Sequence, residues 1–417
     1  METILAVNAG SSSVKFQVFV PERDGPRRLI KGQVSGVAVQ PKLRAQDEHG
    51  KLLVDQSYAC DLVKDIPAAL QMAAAWLRDA QKLEPIAVGH RVVHGGPIYD
   101  RPVLLDAAVL DHLERYVSLA PLHQPNNLAP IRALLARSPD LPQAACFDTA
   151  FHRGHDANAD RYAIPERFYA EGVRRYGFHG LSYEYIAERL QQVAPEVAKG
   201  KVIVAHLGSG ASMCALSRGR SVESTMGFTA LDGLPMGTRP GQMDPGIVLY
   251  LIDEKKMSSA EVQSLLYHEC GLKGLSGISN DVRDLEQSPA AAAQSALDYF
   301  AYRVGLYAGQ LAAALGGLDA FVFTAGIGEN SPTMRARITK KLGWLGATLD
   351  YEANRASKLA ISDTSSRIGL YVIPTDEEMM IARHTQMLLT KRPTARTDWR
   401  PGSAAGALTH PGCACPC

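Results

Sequence analysis

A β-strand, a turn of glycine and serine, and a second β-strand occur twice in this chain, roughly two hundred residues apart. At the start, the apolar runs Ile4 to Val7 and Val14 to Val20 flank the small polar segment Asn8 to Ser13. Later, Lys201 to Leu216 repeats the plan around Gly208-Ser209-Gly210. Setting Gly208-Ser209 over Gly10-Ser11 puts Val202 to Ala205 over Ile4 to Val7, and Met213 to Leu216 over Lys15 to Val18. A hairpin turn of this composition is rich in backbone N–H groups and hydroxyls, and Gly10 lets a bound group approach closely. Lys15, just beyond the first turn, is placed to meet an anion held there. The spacing is far too long for a solenoid. It points to two halves of like architecture, each offering a phosphate-binding hairpin to a shared cleft.

A chain of 417 residues is long enough for two cores. A third glycine-rich segment, Asp319 to Asn330, reads as a buried strand running into a Gly-x-Gly turn. Between the elements that carry glycine the periodicity is helical: Asp65 to Leu83, Asp106 to Leu119 with Asp106 as N-cap, and Ala290 to Leu315, apolar on more than one face. Pro21 to Asp55 reads as further strands with loops. Pro85 to Gly96 and Ala144 to His152 read as short buried strands ending in polar groups. Pro121 to Asn127 reads as a proline-punctuated loop. The last strand, Gly369 to Thr375, leads through an Asp376 cap into a helix reaching Met387.

Net charge is +1 without a basic block, which argues against nucleic acid as a partner. The opening Met-Glu-Thr enters a strand directly, and no apolar run approaches the ~20 residues that span a bilayer, so a cytoplasmic protein without a membrane partner is expected. Cys60, Cys146, Cys214 and Cys270 are scattered among apolar neighbours and read as small hydrophobes. Cys413, Cys415 and Cys417 alternate at the end without paired metal-ligand spacing; with His410 they read as part of a disordered tail bearing exposed thiols.

The informative residues are polar groups at strand ends. Arg91, His123, Asp148, His179 and Arg239 stand in or near Gly- or Pro-punctuated turns, where α/β proteins place chemistry. Two arginines suit planar, doubly charged oxyanions because each presents a fixed fork of donors. Two histidines add donors without fixed charge, and Asp148 has the chemistry to hold a metal or orient an arginine. Taken singly, each also fits an ordinary structural role: a surface ion pair, a satisfied histidine or a turn cap.

As a set these motifs resemble acetate kinases. Asn8 to Lys15, Gly89 to Gly96, Ala120 to Pro125, Phe147 to His152, Arg175 to Gly180, His206 to Ser212, Met236 to Arg239 and Ala325 to Asn330 match in order and spacing, from Met1 to about Leu389. The resemblance implies an α/β fold of two ribonuclease H-like domains, as in actin-like ATPases and sugar kinases, with a central nucleotide cleft. The expected boundaries are 1–150, joined by a C-terminal helix at about 383–391, and 151–382, with 392–417 as the tail. It implies a homodimer that uses ATP and Mg²⁺, with Mn²⁺ able to substitute, to move a phosphoryl group reversibly between ATP and acetate, giving acetyl phosphate and ADP. Carried over position by position, Arg91 and Arg239 would bracket the carboxylate and the transferring phosphoryl group. His179 would stabilise the transition state, His123 would contact the phosphoryl region, and Asp148 is the family's essential carboxylate. Asn8 and Glu377 match the magnesium positions, with the adjacent Glu378 as the alternative. The nucleotide would contact Lys15, then His206, Leu207, Gly208, Ser209 and Gly210, then Asp281, Val282 and Arg283, and finally Gly326, Ile327, Gly328, Glu329 and Asn330. The acyl wall would be Val93, Leu122, Phe178 and Ala230.

Acetate is already ionised at neutral pH, so no general base is needed to activate it. Asp148 is therefore expected to orient an arginine or a metal-bound water. The chain departs from the family at several points. Ser209 stands where Asn is usual. Leu181 and Tyr183 replace Thr and His, and Arg153-Gly-His155 replaces Gln-Thr-Met. Ala230 stands where the acyl wall usually has Pro, and the smaller side chain leaves room for propionate, because one methylene is worth only about 1–3 kcal/mol of discrimination. The competing reading is an actin-like ATPase that couples nucleotide turnover to polymerisation or client binding. The duplicated hairpins suit it equally; the two arginines and two histidines do not.

Overall fold

The computed structural model describes residues 1–10 and 12–390, and two β-sheets organise them. The sequence expectations for the tail, including His410 and the three terminal cysteines, fall outside the described residues. The first sheet contains β1 (Thr3–Ala9), β2 (Ser13–Val20), β3 (Arg27–Ser35), β4 (Lys42–Asp47), β5 (Leu52–Ser57), β6 (Pro85–Val92), β7 (Val103–Leu104) and β8 (Gln143–Phe147). Its order is β5-β4-β3-β2-β1-β6-β8-β7. The second contains β9 (Lys201–Leu207), β10 (Ala211–Ser217), β11 (Arg220–Ser224), β12 (Ala320–Thr324) and β13 (Gly369–Val372), in the order β11-β10-β9-β12-β13.

The two sheets share one logic. β1 pairs antiparallel with β2 on one side and parallel with β6 on the other. β9 likewise pairs antiparallel with β10 and parallel with β12. Each hairpin is therefore the point where an antiparallel meander meets parallel strands, the kind of switch at which α/β sheets open a crevice. The two turns are not identical. Ala9 pairs with Val14 across the first, whereas Leu207 pairs with Ala211 across the second, which is one residue shorter. The ungapped alignment of the repeats consequently slips by one residue beyond the turn.

The last helix, Glu377–Thr390, returns to the first sheet and packs over β1, β6 and β8. Its Met380, Ile381 and Ala382 join Ile4, Ala6, Phe19 and Cys146 in one buried cluster. The approach is close at Gly89, where a Cβ would stand 2.2 Å from Thr385 Oγ1 and 2.6 Å from an Ile381 methyl. The same helix also packs along the helix Gly180–Val193, with an ion pair from Arg383 to Glu188 and a hydrogen bond between His384 Nε2 and Glu184 Oε2 at 2.9 Å. The long apolar helix Ala291–Leu315 is the spine of the second half, burying Leu297, Phe300, Val304 and Leu311.

Several elements differ from the expectation. The helix after Asp106 ends at Glu114, because Leu113 is its last residue to reach the core; Val117–Leu119 is a separate 3-10 turn with nothing buried. Gln124 to Asn127 are not loop but the first turn of a helix, Gln124–Arg137. Pro125 stands in that first turn, where a missing N–H costs no hydrogen bond. Pro130 lies inside the helix, so two prolines disguised a regular element. The Asp319 segment enters a short helix, Ala325–Asn330, rather than a turn. The strand read through His152 stops at Phe147 and gives way to a 3-10 turn at Ala150–His152. The final strand stops at Val372, and the final helix runs three residues past Met387.

Candidate active site

The site starts at the carboxyl ends of three neighbouring strands of the first sheet. Asn8, near the end of β1, faces Lys15 across the hairpin. Arg91 lies at the end of β6, and Asp148 directly follows β8. Arg91 donates through Nε to Asp148 Oδ1 at 2.9 Å and through Nη2 to Oδ2 at 2.5 Å, and its Nη1 donates to Asn8 Oδ1 at 3.2 Å. Burial opposes the Arg91 charge, but Asp148 and Glu377 outweigh it, and the pKa lies above the ordinary arginine value. This two-pronged geometry fixes the plane of the guanidinium.

The backbone around these groups is held by side chains of the helix that the prolines disguised. Asn127 accepts from Val93 N at 3.0 Å and donates to Ala9 O at 2.7 Å, and Gln124 accepts from His94 N at 3.1 Å. The first residues of the last helix complete this side. Asn8 Nδ2 lies 3.3 Å from Glu377 Oε2 and 3.2 Å from Glu378 Oε1. Glu378 is also bound by Gln17 Nε2 at 3.2 Å, whereas Glu377 stands 3.8 Å from Arg91 Nε. Burial, reinforced by Asp148 and Glu378 against the pull of Arg91 and Lys15, pushes the Glu377 carboxyl up to about 7.

The second side is built on β9 and its turn. His206 ends the strand's polar register, and His179 precedes the helix Gly180–Val193 with a left-handed backbone, φ 58°. Gly180 ties this helix to the first side: its N–H donates to the Asp148 carbonyl at 2.8 Å, and a Cβ there would stand 2.2 Å from that oxygen. The His179 and His206 rings stack with centroids 4.1 Å apart and an interplanar angle of 15°. Each is anchored through Nδ1, His179 to Ser212 Oγ and His206 to Ser182 Oγ, both at 2.8 Å. Gly210 lies beneath Arg239: a Cβ there would be 2.8 Å from Arg239 Nη2 and 3.4 Å from His179 Nε2.

Arg239 donates through Nη1 to the Ala230 carbonyl at 2.7 Å and, among the described residues, pairs with no carboxylate. Burial, together with the Arg91 charge, lowers its pKa to about 10. The two arginines also act on the histidines. Burial, then Arg239 and Arg91, bring His123 down to about 3. Burial, with His206 and both arginines, holds His179 well below the ordinary histidine value. Burial, with Arg91 and Lys15, brings His206 to about 3. Two cations and three neutral imidazoles therefore share one half-buried cleft, an arrangement suited to a multiply charged anion.

Val93, Phe178 and Ala230 lie together in one apolar cluster with Ala120 and Met226. Leu122 is half-buried and outside that cluster; its carbonyl accepts from Asn126 Nδ2 at 3.0 Å. The glycine-rich segments meet around the second turn. Gly237 N donates to Ser209 O at 3.1 Å, a Cβ on Gly237 would lie 3.0 Å from Asn280 O, and one on Gly208 would lie 3.8 Å from the Ala325 Cβ. Asp281 caps the helix Val282–Gln287 and is paired with Arg283. Leu207 and Val282 belong to the core, which leaves their backbone rather than their side chains for a ligand. In Gly326 to Asn330, Glu329 accepts from Ala325 N at 2.8 Å and Thr375 N at 3.0 Å, while Asn330 Nδ2 donates to Gly326 O at 2.9 Å. Glu329 thus ties the end of β12 to the approach to Glu377.

Sequence reasoning passed over Ser182, Ser212, Gln17, Gln124 and Asn127, all buried polar residues. A signal existed for Gln17, a polar residue within an apolar strand and on the same face as Lys15. The serines become informative only when β10 and the helix Gly180–Val193 bring them to the histidines.

No group of three or more His, Cys, Asp or Glu converges as a metal site among the described residues. The donors at Asn8 and Glu377, with Glu378 adjacent, fit Mg²⁺, which takes one or two carboxylate ligands and completes its shell with water and phosphate oxygens. The raised Glu377 pKa comes first from burial and then from Asp148 and Glu378, and a bound cation would oppose both.

A family model described as the acetokinase family matches residues 3–383. An acetate kinase of Nitrobacter hamburgensis is 67% identical over 393 residues, covering 94% of this chain and 97% of the relative. One of Rhizobium meliloti is 59% identical over 390 residues, covering 94% and 99%. Among solved structures, a propionate kinase from Francisella tularensis subsp. tularensis SCHU S4 superposes with a TM-score of 0.86 at 36% identity, over 93% of this chain and 100% of that one. The acetate kinase of Porphyromonas gingivalis gives 0.82 at 33% identity, with the same coverage. The architecture described above is thus the actin-like ATPase fold.

Proposed function

The chain belongs to the acetokinase family, and from that premise we propose that it transfers the terminal phosphoryl group of ATP reversibly to acetate, yielding acetyl phosphate and ADP in the cytoplasm. The observation that carries the reading is Arg239: a half-buried guanidinium beside neutral His179, with no carboxylate partner among the described residues. Such a cation calls for an incoming anion. Arg91 is already held in plane by Asp148 and serves as the opposing jaw.

An acetate oxygen attacks the γ-phosphorus in line with the departing ADP oxygen, so that one P–O bond forms as the other breaks. The nucleophile is ionised beforehand, which leaves Asp148 the task of orienting Arg91. His179 and His123, kept neutral, donate without adding charge. Mg²⁺, with Mn²⁺ able to replace it, supplies charge neutralisation on the nucleotide phosphates when bound. Glu377 and Asn8 are the residues that would hold it. The adenine nucleotide is assigned to Lys15, the Gly208–Gly210 turn, Asp281 to Arg283, and Gly326 to Asn330.

The methyl of acetate is assigned to the wall formed by Val93, Leu122, Phe178 and Ala230. Ala230 extends the reading to propionate, in keeping with the propionate kinase among the structural neighbours. We also infer a homodimer, supported by the family and by exposed Ile247, Leu249 and Tyr250 on the helix Pro245–Asp253, which buries none of its residues.

Trapping the product with hydroxylamine tests the reading. Mg·ATP with acetate is expected to give acyl hydroxamate. Propionate should be used with kcat/KM within about tenfold of acetate, and Ala230→Pro should widen that gap. A several-hundred-fold gap that Ala230→Pro does not change would remove propionate, and no hydroxamate with any acid would remove the kinase.

A further inference from the structure

Behind His179 lies a hydrogen-bonded chain that the reaction scheme does not use. Its Nδ1 is 2.8 Å from Ser212 Oγ, and Ser212 Oγ is 2.5 Å from the Tyr183 hydroxyl. Ser212 and Tyr183 are both fully buried, and Ser212 is the only hydrogen-bond partner of the Tyr183 hydroxyl among the described residues. The opposite ring nitrogen, Nε2, points toward the space above Gly210 that Arg239 also borders. His179 is therefore held from behind through one nitrogen and offers the other to the cleft.

The direction of donation along this chain is determined by counting protons. Run one way, Tyr183 O–H donates to Ser212 and Ser212 O–H donates to His179 Nδ1; every buried donor has an acceptor. Run the other way, His179 Nδ1–H donates to Ser212, and then either Ser212 donates to Tyr183, whose own proton is left buried without a partner, or Tyr183 also donates to Ser212 and the serine proton is left so. An orphaned buried donor is disfavoured strongly enough to select between the two. The reverse order would also turn the Nε2 lone pair toward phosphoryl oxygens.

We propose that Ser212, backed by Tyr183, is a positioning residue that fixes His179 as the Nε2–H tautomer, so that the transferring phosphoryl group meets a neutral N–H donor beside the Arg239 guanidinium. The ring's stacking on His206 sets its plane, and the Ser212 hydroxyl sets its rotation and tautomer. The benefit to the reaction rests on the kinase reading above; the tautomer does not. Tyr183 gives Ser212 a donor that has no alternative acceptor among the described residues.

The test uses full-length protein with ¹⁵N-labelled histidine, the His179 signals being identified by their loss in His179→Asn. Wild type should show a protonated Nε2 and a bare Nδ1. Ser212→Ala should give a mixture of tautomers and lower kcat about tenfold, a partial loss of one oxyanion donor, with both KM values within about twofold. Tyr183→Phe removes one oxygen, adds no atoms and keeps the serine hydroxyl, whose proton then has His179 Nδ1 as its one acceptor among the described residues, so it should retain the wild-type tautomer and keep the proposal testable if Ser212→Ala folds poorly. Protonated Nδ1 in wild type, protonated Nδ1 in Tyr183→Phe, or a Ser212→Ala protein with unchanged tautomer and kcat would each overturn it. Wild-type protein yielding no hydroxamate would reject the kinase reading instead, and the nitrogen signals would still decide the tautomer.

Discussion

The two arginines have different duties, and substitution should separate them. Arg91 is pinned by Asp148, so Asp148→Asn removes the group that fixes its plane and leaves a largely buried charge with only Glu377, 3.8 Å away, as a close carboxylate. That substitution should lower both kcat, by about a hundredfold, and stability, by about 3 kcal/mol or more. Arg239 leans only on a backbone carbonyl, so Arg239→Lys should lower kcat/KM by a hundredfold or more while the melting temperature moves little. Steady-state kinetics beside thermal melts would check both. Equal melting temperatures for the two variants would contradict the distinction. The residues proposed to act as a set could be singled out because Arg91, His123, Asp148, His179 and Arg239 each sit in a recognisable motif. Their supports were not. Ser212, Gln17 and Asn127 are ordinary polar residues until tertiary structure gives each a buried partner.

Among the elements, the hairpins and the long apolar helix follow from their apolar runs, which on more than one face must be buried. The helix Gln124–Arg137 did not, since two prolines read as punctuation; one of them merely occupies a first turn that needs no N–H there. The last helix was recognisable from its cap and its acids, but its place against the first sheet rests on non-local contacts, including the close approach at Gly89. Gly89→Ala should push Ile381 and Thr385 away, lower stability by about 1–3 kcal/mol and raise KM for Mg·ATP by displacing Glu377. Thr385→Ala in the same protein should restore part of the loss, because it removes the nearer of the two clashing atoms. Denaturant unfolding of the single and double variants would show this. Additive losses would mean that the helix does not pack as described.

For the molecule as a whole, the buried histidines govern acid sensitivity. Burial lowers His90 and His155 to about 4, and His94, His123, His152 and His206 to about 3. Their unfolded value is 6.5, so the unfolded chain binds more protons below it. Stability contributed by these groups is complete above pH 6.5 and is lost as pH falls toward 4 and through 3. With His179, which is also held well below the ordinary value, unfolding at pH 5 should take up about six protons once Glu377, which releases most of one, is subtracted, and calorimetry in buffers of different ionisation enthalpy would count them. The exposed apolar helix Pro245–Asp253, with Tyr299, Tyr302 and Leu306 along one face of Ala291–Leu315, predicts a sedimenting mass twice that of the chain. A monomer at micromolar concentration would contradict it. The central claim is acyl phosphate formation, and ³¹P NMR of a mixture of protein, Mg·ATP and acetate reads it directly. The account predicts acetyl phosphate and ADP appearing in equal amounts, and neither when acetate is withheld. ADP with free inorganic phosphate, at a rate indifferent to acetate, would contradict it and identify the chain as an ATPase.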